Sequence, residues 1–287
     1  MREMQPDRMQ FDCKEVEEYM DIVERMKRGE KITIGMVHLL PLPGTLKYQG
    51  DFQAIIDQAV EDAKKLEKAG FDAVIVENVN DGPYDTDKMS VWQISALAIT
   101  CDHVRRNVNL PMGIDACGGT LDGFMIAGLT GIDFIRVPYF VDVRIGANGV
   151  IHPNGAKAVM LRKRNGLEHI RIFADVQVKH TYPLNSEIPV EDSAIWAETV
   201  GADALIVTGA TTGAETPLDM IKRVKAVTKL PVVVGSGMCT DNAKAQFEIC
   251  DGAIVGSALK KNKNLMNCID SELAEAFIRS TGKGNCV

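Results

Sequence analysis

The sequence lacks the features that would place the protein in a membrane or on a nucleic acid. Its longest apolar runs, such as residues 253–255, are far shorter than the roughly 20 apolar residues that cross a bilayer. Its first residues contain no apolar segment typical of a secretory signal. Acidic residues outnumber basic ones by 39 to 32, whereas surfaces that bind nucleic acid are basic. We therefore expect a cytoplasmic protein with no integral membrane segment and no nucleic-acid partner.

The sequence also lacks the cysteine patterns of disulfide-bonded and zinc-binding domains. Its seven cysteines are scattered and show neither C-x-x-C nor zinc-ligand spacing. We expect reduced thiols, as is usual in the cytoplasm. The hydrophobic fraction of 46% and the charged fraction of 25% are ordinary for a globular protein. A chain of 287 residues is long enough to form one large core without covalent cross-links.

A recurring lead-in, Gly-x-Asp followed by an apolar run, organises the chain. It occurs at Gly70, Gly131 and Gly201, with a variant around Asp251. Each interval between these positions has room for two βα units. Four other apolar runs lie between the lead-ins, at residues 32–37, 111–114, 170–174 and 231–234. Eight short apolar runs that alternate with longer segments predict parallel strands buried on both faces.

The longer segments have the periodicity of helices that cover a sheet. Ile55, Ala59, Ala63 and Leu66 form one apolar stripe at helical spacing, and residues 192–201 and 217–228 behave alike. A strand followed by a helix, eight times over, predicts an α/β fold, a single (β/α)8 TIM barrel spanning residues 31–287. A doubly wound open sheet is the alternative, but it does not predict the four-fold alternation. Residues 1–30 form an N-terminal extension, in which we expect a capping helix over residues 16–27 across the barrel bottom.

The loops after the last two predicted strands have the composition of a phosphate site. Gly235-Ser236-Gly237 leaves backbone N–H groups open to an anion, because glycine has no Cβ to obstruct it. Gly256-Ser257 is expected to begin a short helix, whose N-terminus attracts an anion by about 0.3–1 kcal/mol. TIM barrels bind phosphate at these two loops. The alternative is that the glycines serve tight turns alone.

Candidate catalytic residues lie where the other strands end. Asp175, Lys179 and His180 follow the fifth strand and could exchange protons with a substrate. Lys179 could instead form a Schiff base or pair with a phosphate, and a solvated loop without function is the alternative. Strand alternation would direct Asp175, Gln177 and Lys179 to one side while the strand continues.

Glu77 closes an otherwise apolar strand, and Arg136 is its natural partner, so a buried structural ion pair is an alternative interpretation. Further polar residues are expected at the barrel mouth: His38, Asn78, Asp81, Asp115, Thr208, Gly209 and Thr212. A divalent metal could be held by His38, Glu77, Asp115, Asp175 and His180. No local spacing typical of metal ligands supports such a site, so we assign no metal ligands.

The strand-end motifs together resemble those of the BtpA family, a group of ribulose-phosphate-binding-type barrels. The resemblance covers nearly the whole chain from residue 31 onward, and its motifs are specific jointly rather than singly. They occupy residues 34–44, 77–84, 134–137, 174–180, 208–213, 234–237 and 251–260. Two positions depart from the family pattern. Asp115 lies where the family has an Asn-containing turn, and Pro138 replaces the usual Asn. Both are at the predicted mouth, so we expect a different ligand from that of the relatives.

The resemblance implies a small phosphorylated ligand but no particular reaction. The family is named after a thylakoid-associated factor needed for photosystem I reaction-centre proteins to accumulate, and its members also occur outside photosynthesis. Three hypotheses follow. The first is an enzyme (a lyase, isomerase or hydrolase) that uses acid–base chemistry on a sugar-phosphate or nucleotide-type metabolite. The second is a non-catalytic assembly or regulatory factor with peripheral membrane association, and the third is a metal-dependent hydrolase. A homo-oligomer remains open.

Overall fold

Eight parallel strands form a closed barrel in the computed structural model, which describes residues 21–84, 88–147 and 149–282. Numbered in chain order, they are β1 Ile32–His38, β2 Ala73–Glu77, β3 Met112–Asp115, β4 Phe134–Val137, β7 Arg171–Val176, β9 Ala204–Val207, β10 Val232–Val234 and β11 Gly252–Val255. The order around the barrel is β1-β11-β10-β9-β7-β4-β3-β2. The predicted fold class and all eight predicted strands are confirmed.

A small antiparallel sheet, which the sequence analysis did not predict, lies beside the mouth of the barrel. Its strands are β5 Arg144–Gly146, β6 Gly149–Ile151 and β8 Tyr182–Pro183, in the order β6-β5-β8. The first two follow β4 and the third follows β7, so the sheet joins two different βα loops. The Arg144 guanidinium connects them by donating hydrogen bonds to the carbonyl oxygen and Oγ1 of Thr181, both at 3.0 Å. We call this sheet the lid sheet.

Helices surround the barrel and bury their apolar stripes against it. They are α1 Ile22–Lys27, α2 Phe52–Ala69, α3 Val91–Arg105, α4 Thr120–Thr130, α5 Gly155–Arg164, α6 Val190–Val200, α7 Leu218–Val227, α8 Ala243–Phe247 and α9 Ser271–Ser280. The predicted stripe on α2 is confirmed, since Ile55, Ala59, Ala63 and Leu66 are all buried. Among the described residues, no helix is both long enough and apolar enough to cross a membrane.

Helix α1 closes the end of the barrel where the strands begin. Its apolar residues Ile22, Val23 and Met26 belong to the same buried cluster as the side chains of the barrel interior, such as Phe134 and Phe173. This part confirms the predicted capping helix from Ile22 to Lys27, whereas residues 16–20 of the prediction lie outside the described residues.

The aspartates of the recurring lead-in explain why that pattern repeats. Each carboxylate accepts a backbone N–H from the neighbouring strand: Asp72 from Thr33 (2.7 Å), Asp133 from Met112, Asp203 from Ile172 and Asp251 from Val232 (each 2.8 Å). Each also meets a cation from the last turn of an odd-numbered helix: Arg25, Arg105, Arg162 and Lys225, at 2.9, 3.9, 2.5 and 2.7 Å respectively. We call these four sets of contacts the Asp pins. Because they lie where strands begin, they join the barrel at the end opposite its mouth.

Candidate active site

The loops after β9, β10 and β11 form one wall of a narrow cavity of about 40 Å³ at the mouth of the barrel. We call it the inner cavity. Thr212 and Gly213 come from the first of these loops, residues 235–238 from the second and residues 256–258 from the third. The five predicted phosphate-binding residues, Gly235, Ser236, Gly237, Gly256 and Ser257, therefore all line one cavity.

Close packing explains two of these glycines without any ligand. Gly237 has a φ of +75°, and a Cβ there would lie 2.0 Å from the carbonyl oxygen of Ala214. A Cβ on Gly256 would lie 2.6 Å from Cε1 of His38. Side chains at either position would push the loops apart. Close packing of the turns therefore accounts for these two glycines, and both also line the cavity.

Backbone donors remain available in the inner cavity. The N–H groups of Ser236, Gly237 and Ser257 donate to no acceptor within the described ranges of the chain. The predicted short helix at Ser257 is a single 3₁₀ turn, Ser257–Leu259, so the expected helix dipole is too small to matter. Attraction for an anion must come from individual N–H groups. The Ser236 hydroxyl serves the scaffold instead, because its Oγ accepts the N–H of Gly209 at 3.0 Å.

Buried ionisable side chains form the opposite wall. Arg136, on β4, donates two parallel hydrogen bonds to Asp175 at the end of β7, at 2.8 and 2.9 Å. The same guanidinium lies 3.5 Å from Asp115 at the end of β3. Glu77, at the end of β2, instead meets Nε2 of His38 at 3.3 Å. The predicted direct pairing of Glu77 with Arg136 is therefore wrong, because the closer Asp175 presents both carboxylate oxygens to the guanidinium.

The surroundings shift the pKa values of two carboxyl groups, those of Glu77 and Asp115, in opposite directions. Burial alone would raise the pKa of Glu77, but His38, Lys179 and Arg136 together lower it to about 2. Burial raises the pKa of Asp115 well above its usual range, because the attraction of Arg136 does not offset it and the charges of Glu77 and Asp175 add to it. The surroundings thus favour the carboxylate form of Glu77 and the protonated form of Asp115.

Lys179 reaches this cluster from the loop after β7. Burial and the charge of Arg136 lower the pKa of its amino group, while Glu77 and the two aspartates oppose that effect. The amino group makes neither a hydrogen bond nor an ion pair with any described residue. Its backbone N–H donates to Oγ1 of Thr208 at 3.0 Å, which fixes the loop. The lowered pKa favours the neutral amino group, and a neutral amino group without a partner can accept a proton from a ligand.

The alternation predicted while the strand continues does not reach Gln177 and Lys179, because β7 ends at Val176. Gln177 has a φ of +50°, and its amide donates to the Ile188 carbonyl at 3.1 Å, so the side chain binds a neighbouring loop. His180 is exposed, and its Nε2 accepts the N–H of Thr212 at 3.2 Å. Burial and Lys179 lower the pKa of His180. His180 therefore connects two loops in neutral form.

Asn78 and Asp81 shape the mouth without lining the inner cavity. Asn78 donates from Nδ2 to Asp81 at 2.8 Å and accepts the N–H of Cys117 at 2.7 Å. Asp81 also accepts the N–H of Leu42 at 2.8 Å. These bonds join the loops after β1, β2 and β3, so both residues position the loops that carry the ionisable groups.

A second cavity, of about 360 Å³, adjoins the first. We call it the outer chamber. The two share five lining residues: His38, Glu77, Arg136, Lys179 and Thr212. The barrel side of the chamber is polar and includes Asp115, while its far side includes Tyr84, Tyr139, Ile151 and Leu265. Apart from Tyr84, which lies in a resemblance motif, no sequence signal marked these apolar residues, since they come from separate loops and from the lid sheet.

Three side chains at the mouth have ligand atoms close enough to one another to bind a single metal ion. Ligand atoms of Glu77, Asp115 and Cys117 lie within 4.8 Å of one another. The donor set fits poorly by charge, because Arg136 lies 3.5 Å from Asp115. A metal also needs a deprotonated thiol, whereas burial raises the pKa of Cys117 well above its usual value. Of the other ligands considered from sequence, Asp175 is held by Arg136 and His180 by Thr212.

Comparisons with known proteins show the family and the fold of this chain. The chain is 36% identical to an uncharacterized protein of Methanocaldococcus jannaschii over 88% of this chain and 96% of that one. It is 31% identical to the photosystem I biogenesis protein BtpA of Synechocystis sp. over 92% of each chain. The fold resembles that of thiamine phosphate pyrophosphorylase from Pyrococcus furiosus, with a TM-score of 0.57, 16% identity, and coverage of 91% and 98%. The model of the BtpA family matches residues 29–283, and the chain belongs to that family.

Proposed function

We propose that this protein is an enzyme that binds a small phosphorylated metabolite and acts on it by acid–base chemistry. The observation that carries the proposal is the position of Lys179. Lys179, whose amino group has no partner among the described residues, lines the same inner cavity as the loops that offer unpaired backbone N–H donors. An anion bound by those loops would lie in the cavity that Lys179 lines, and Asp115 would lie in the adjoining outer chamber.

The phosphate in this proposal is a handle by which the substrate is held. Ser236, Gly237 and Ser257 would donate backbone N–H groups to its oxygens. The thiamine phosphate pyrophosphorylase that shares the fold has a phosphorylated compound in its name, which is in keeping with this class of ligand. The atoms next to the phosphate would then lie at Lys179 and Glu77, which line the same cavity.

The ionisable residues would divide the chemistry between them. Lys179, with its lowered pKa, would remove a proton from the substrate, and Asp115, with its raised pKa, would supply one. Arg136, held in one orientation by Asp175, would bind a developing negative charge. Glu77 with His38 would keep the site electrically balanced. Such a pair of groups suits a lyase or an isomerase that leaves the phosphate in place.

The burial of these groups favours an enzyme over a non-catalytic assembly factor. His38, Glu77, Asp115, Arg136 and Asp175 are each at most 7% exposed. Burying charged groups generally destabilises a fold relative to apolar side chains of similar size. Perturbed ionisable groups that gather in a cleft are typical of functional sites. The name of the Synechocystis relative motivates the assembly hypothesis, which remains the alternative.

A screen of phosphorylated metabolites tests the proposal. The purified protein is incubated with a library, and new products are detected by mass spectrometry. We expect one class of compound to be converted, and Lys179→Met to reduce the rate by about 100-fold or more. Lys222→Met, an exposed lysine on α7, is the matched control and should retain the wild-type rate. Equal turnover by Lys179→Met and the wild type would refute the assigned role.

A metal-dependent hydrolase is the weaker candidate function: the donor atoms of Glu77, Asp115 and Cys117 lie within 4.8 Å of one another, but Arg136 and the raised pKa of Cys117 disfavour a metal there. Metal analysis of protein purified without chelators tests it. A stoichiometric divalent metal that is lost in Cys117→Ala would favour this candidate. Metal-free protein that retains full activity would eliminate it.

A further inference from the structure

The inner cavity and the outer chamber together set the shape of what can bind. They meet at five shared residues, among them Lys179, Glu77 and Arg136. The inner cavity, at about 40 Å³, has room for little more than a small anion, whereas the outer chamber has about 360 Å³. A ligand whose phosphate occupies the inner cavity must therefore pass the ionisable residues and place the rest of its bulk in the outer chamber.

The far side of the outer chamber offers a ligand few hydrogen bonds, and of its two tyrosine hydroxyls only that of Tyr139 has no partner among the described residues. The Tyr84 hydroxyl already donates to the Val79 carbonyl. The Thr181 hydroxyl donates to the Val178 carbonyl at 2.7 Å and accepts a hydrogen bond from Arg144 at 3.0 Å. A sugar ring placed there would lose hydrogen bonds to water and regain few.

Polar atoms that are both buried and without hydrogen-bond partners occur instead on the barrel side of the chamber. Oδ1 of Asp115 and Nδ1 of His38 are both buried and have no hydrogen-bond partner in the described part of the protein. The amino group of the half-buried Lys179 also has no partner among the described residues. A ligand must therefore form hydrogen bonds through the segment that follows its phosphate, and needs none in the part that lies on the apolar side of the chamber.

From this distribution we infer that the substrate is a three-part phosphate monoester. A phosphate fills the inner cavity, a short polar segment faces Lys179 and Asp115, and an apolar ring occupies the outer chamber between the tyrosines and the lid sheet. The inference rests on the proposed function and narrows it, because it selects a ring-bearing ester over a simple sugar phosphate. Ile151 of β6 would contact the ring.

Calorimetric titration of the full chain with matched probes tests the inference. The probes are inorganic phosphate, propyl phosphate, glycerol 3-phosphate and 3-phenylpropyl phosphate. Since burial of a phenyl ring from water is strongly favourable, we expect 3-phenylpropyl phosphate to bind about tenfold more tightly than propyl phosphate, or better. It should also bind more tightly than glycerol 3-phosphate.

Two neighbouring residues of β6 provide the variant and its control. Ile151→Asn places an amide on the chamber wall and should remove the advantage of the phenyl ring while leaving propyl phosphate affinity unchanged. Val150→Asn changes a residue that does not line the chamber, so it should preserve both affinities. If both variants lose propyl phosphate binding, circular dichroism decides whether they are folded, and Leu265→Asn then replaces Ile151→Asn.

The outcomes separate this inference from the function on which it rests. If propyl and 3-phenylpropyl phosphate bound equally well, the inference that an apolar ring occupies the outer chamber would be refuted, and the proposed phosphate site would stand. Tighter binding of glycerol 3-phosphate than of the phenyl ester would also overturn it, in favour of a sugar phosphate. If none of the four probes binds, the proposed phosphate site fails and the inference fails with it.

Discussion

Asp115 and Lys179 show how environment gives ordinary side chains unusual proton affinities. Both are buried beside Arg136, and burial disfavours the charged form of each. The carboxyl group therefore keeps a proton that it would lose in water, and the amino group loses its proton more readily than an exposed lysine. An acid and a base whose pKa values are shifted in these directions can both act near neutral pH.

The activity should depend on pH through these two residues. Lys179 must be neutral to accept a proton, so the rate should rise as pH passes its lowered pKa. Asp115 must be protonated to donate, so the rate should fall as pH passes its raised pKa, which gives a bell-shaped profile. With a substrate from the metabolite screen, Asp115→Asn should lower the rate by about 100-fold and remove the alkaline decline. An alkaline decline that persists in Asp115→Asn would assign that limb to another group.

Stability should also depend on pH through Asp115. Its pKa is raised in the folded protein, so its contribution to the free energy of unfolding is full below the unfolded pKa and is lost as pH rises through the folded pKa. The amide introduced by Asp115→Asn cannot ionise. Between the unfolded and the folded pKa of Asp115, the free energy of unfolding of Asp115→Asn should therefore rise relative to that of the wild type by about 1.4 kcal/mol per pH unit.

Urea unfolding at several pH values, in the presence of a chelator, measures the difference between the two proteins. Asp241→Asn, at an exposed position, is the control and should run parallel to the wild type. A constant difference between Asp115→Asn and the wild type across pH would show that Asp115 is ionised in the folded state.

The gathering of the candidate site residues at the barrel mouth was predictable from sequence, but their pairing was not. Strand ends in a parallel barrel meet at one rim, so His38, Glu77, Asp115 and Arg136 could be placed together from their positions alone. Which carboxylate meets Arg136 depends on the register of β4 against β7, where Arg136 lies beside Phe173 and near Asp175. That register is a property of the closed sheet and has no sequence motif.

At the scale of the element, strands buried on both faces were easier to predict than exposed ones. The eight barrel strands are continuous apolar runs, and the Asp pins mark four of them in the sequence. The lid sheet escaped prediction because its strands have two or three residues and are largely exposed, so neither alternation nor an apolar run distinguishes them.

The Asp pins should contribute to stability without affecting the site. Asp251→Ala removes the acceptor of the Val232 N–H and the partner of Lys225. We expect a loss of about 1–3 kcal/mol in the free energy of unfolding, since a backbone donor is left without its partner. Inorganic phosphate affinity should not change, because the pin lies at the far end of the barrel. Unfolding in urea and calorimetry measure the two quantities, and Asp241→Ala is the exposed control. A loss below about 0.5 kcal/mol would show that water replaces the carboxylate.

At the scale of the whole molecule, the contacts that close the barrel and the candidate site lie at opposite ends of the barrel axis. Helix α1 and the Asp pins lie where the strands begin, and the ionisable cluster and both cavities lie where they end. The sequence predicted this polarity, because a (β/α)8 barrel has its loops for chemistry at one end. It could not predict the outer chamber, which needs side chains from several loops of unrelated sequence.

This separation predicts the effect of a change in α1. Met26→Ala leaves a hole in the cluster that closes the barrel, where Met26 is 2% exposed. We expect the free energy of unfolding to fall by about 2–5 kcal/mol. Binding of 3-phenylpropyl phosphate should remain as in the wild type, and Lys27→Ala on the exposed side of α1 should change neither property. Weaker ligand binding by folded Met26→Ala would contradict the separation.

The four Asp pins also divide the barrel into modules. Each quarter consists of a helix with a terminal cation, a strand, a further helix and an Asp that precedes the next strand. The mouth does not share this repetition, since the candidate acid–base residues belong to β1 through β7 and the candidate phosphate loops to β9 through β11. A chimaera joined at a boundary between quarters would keep every pin within its own module. Different acid–base residues could then be combined with the candidate phosphate loops, without redesign of the contacts that hold the barrel closed.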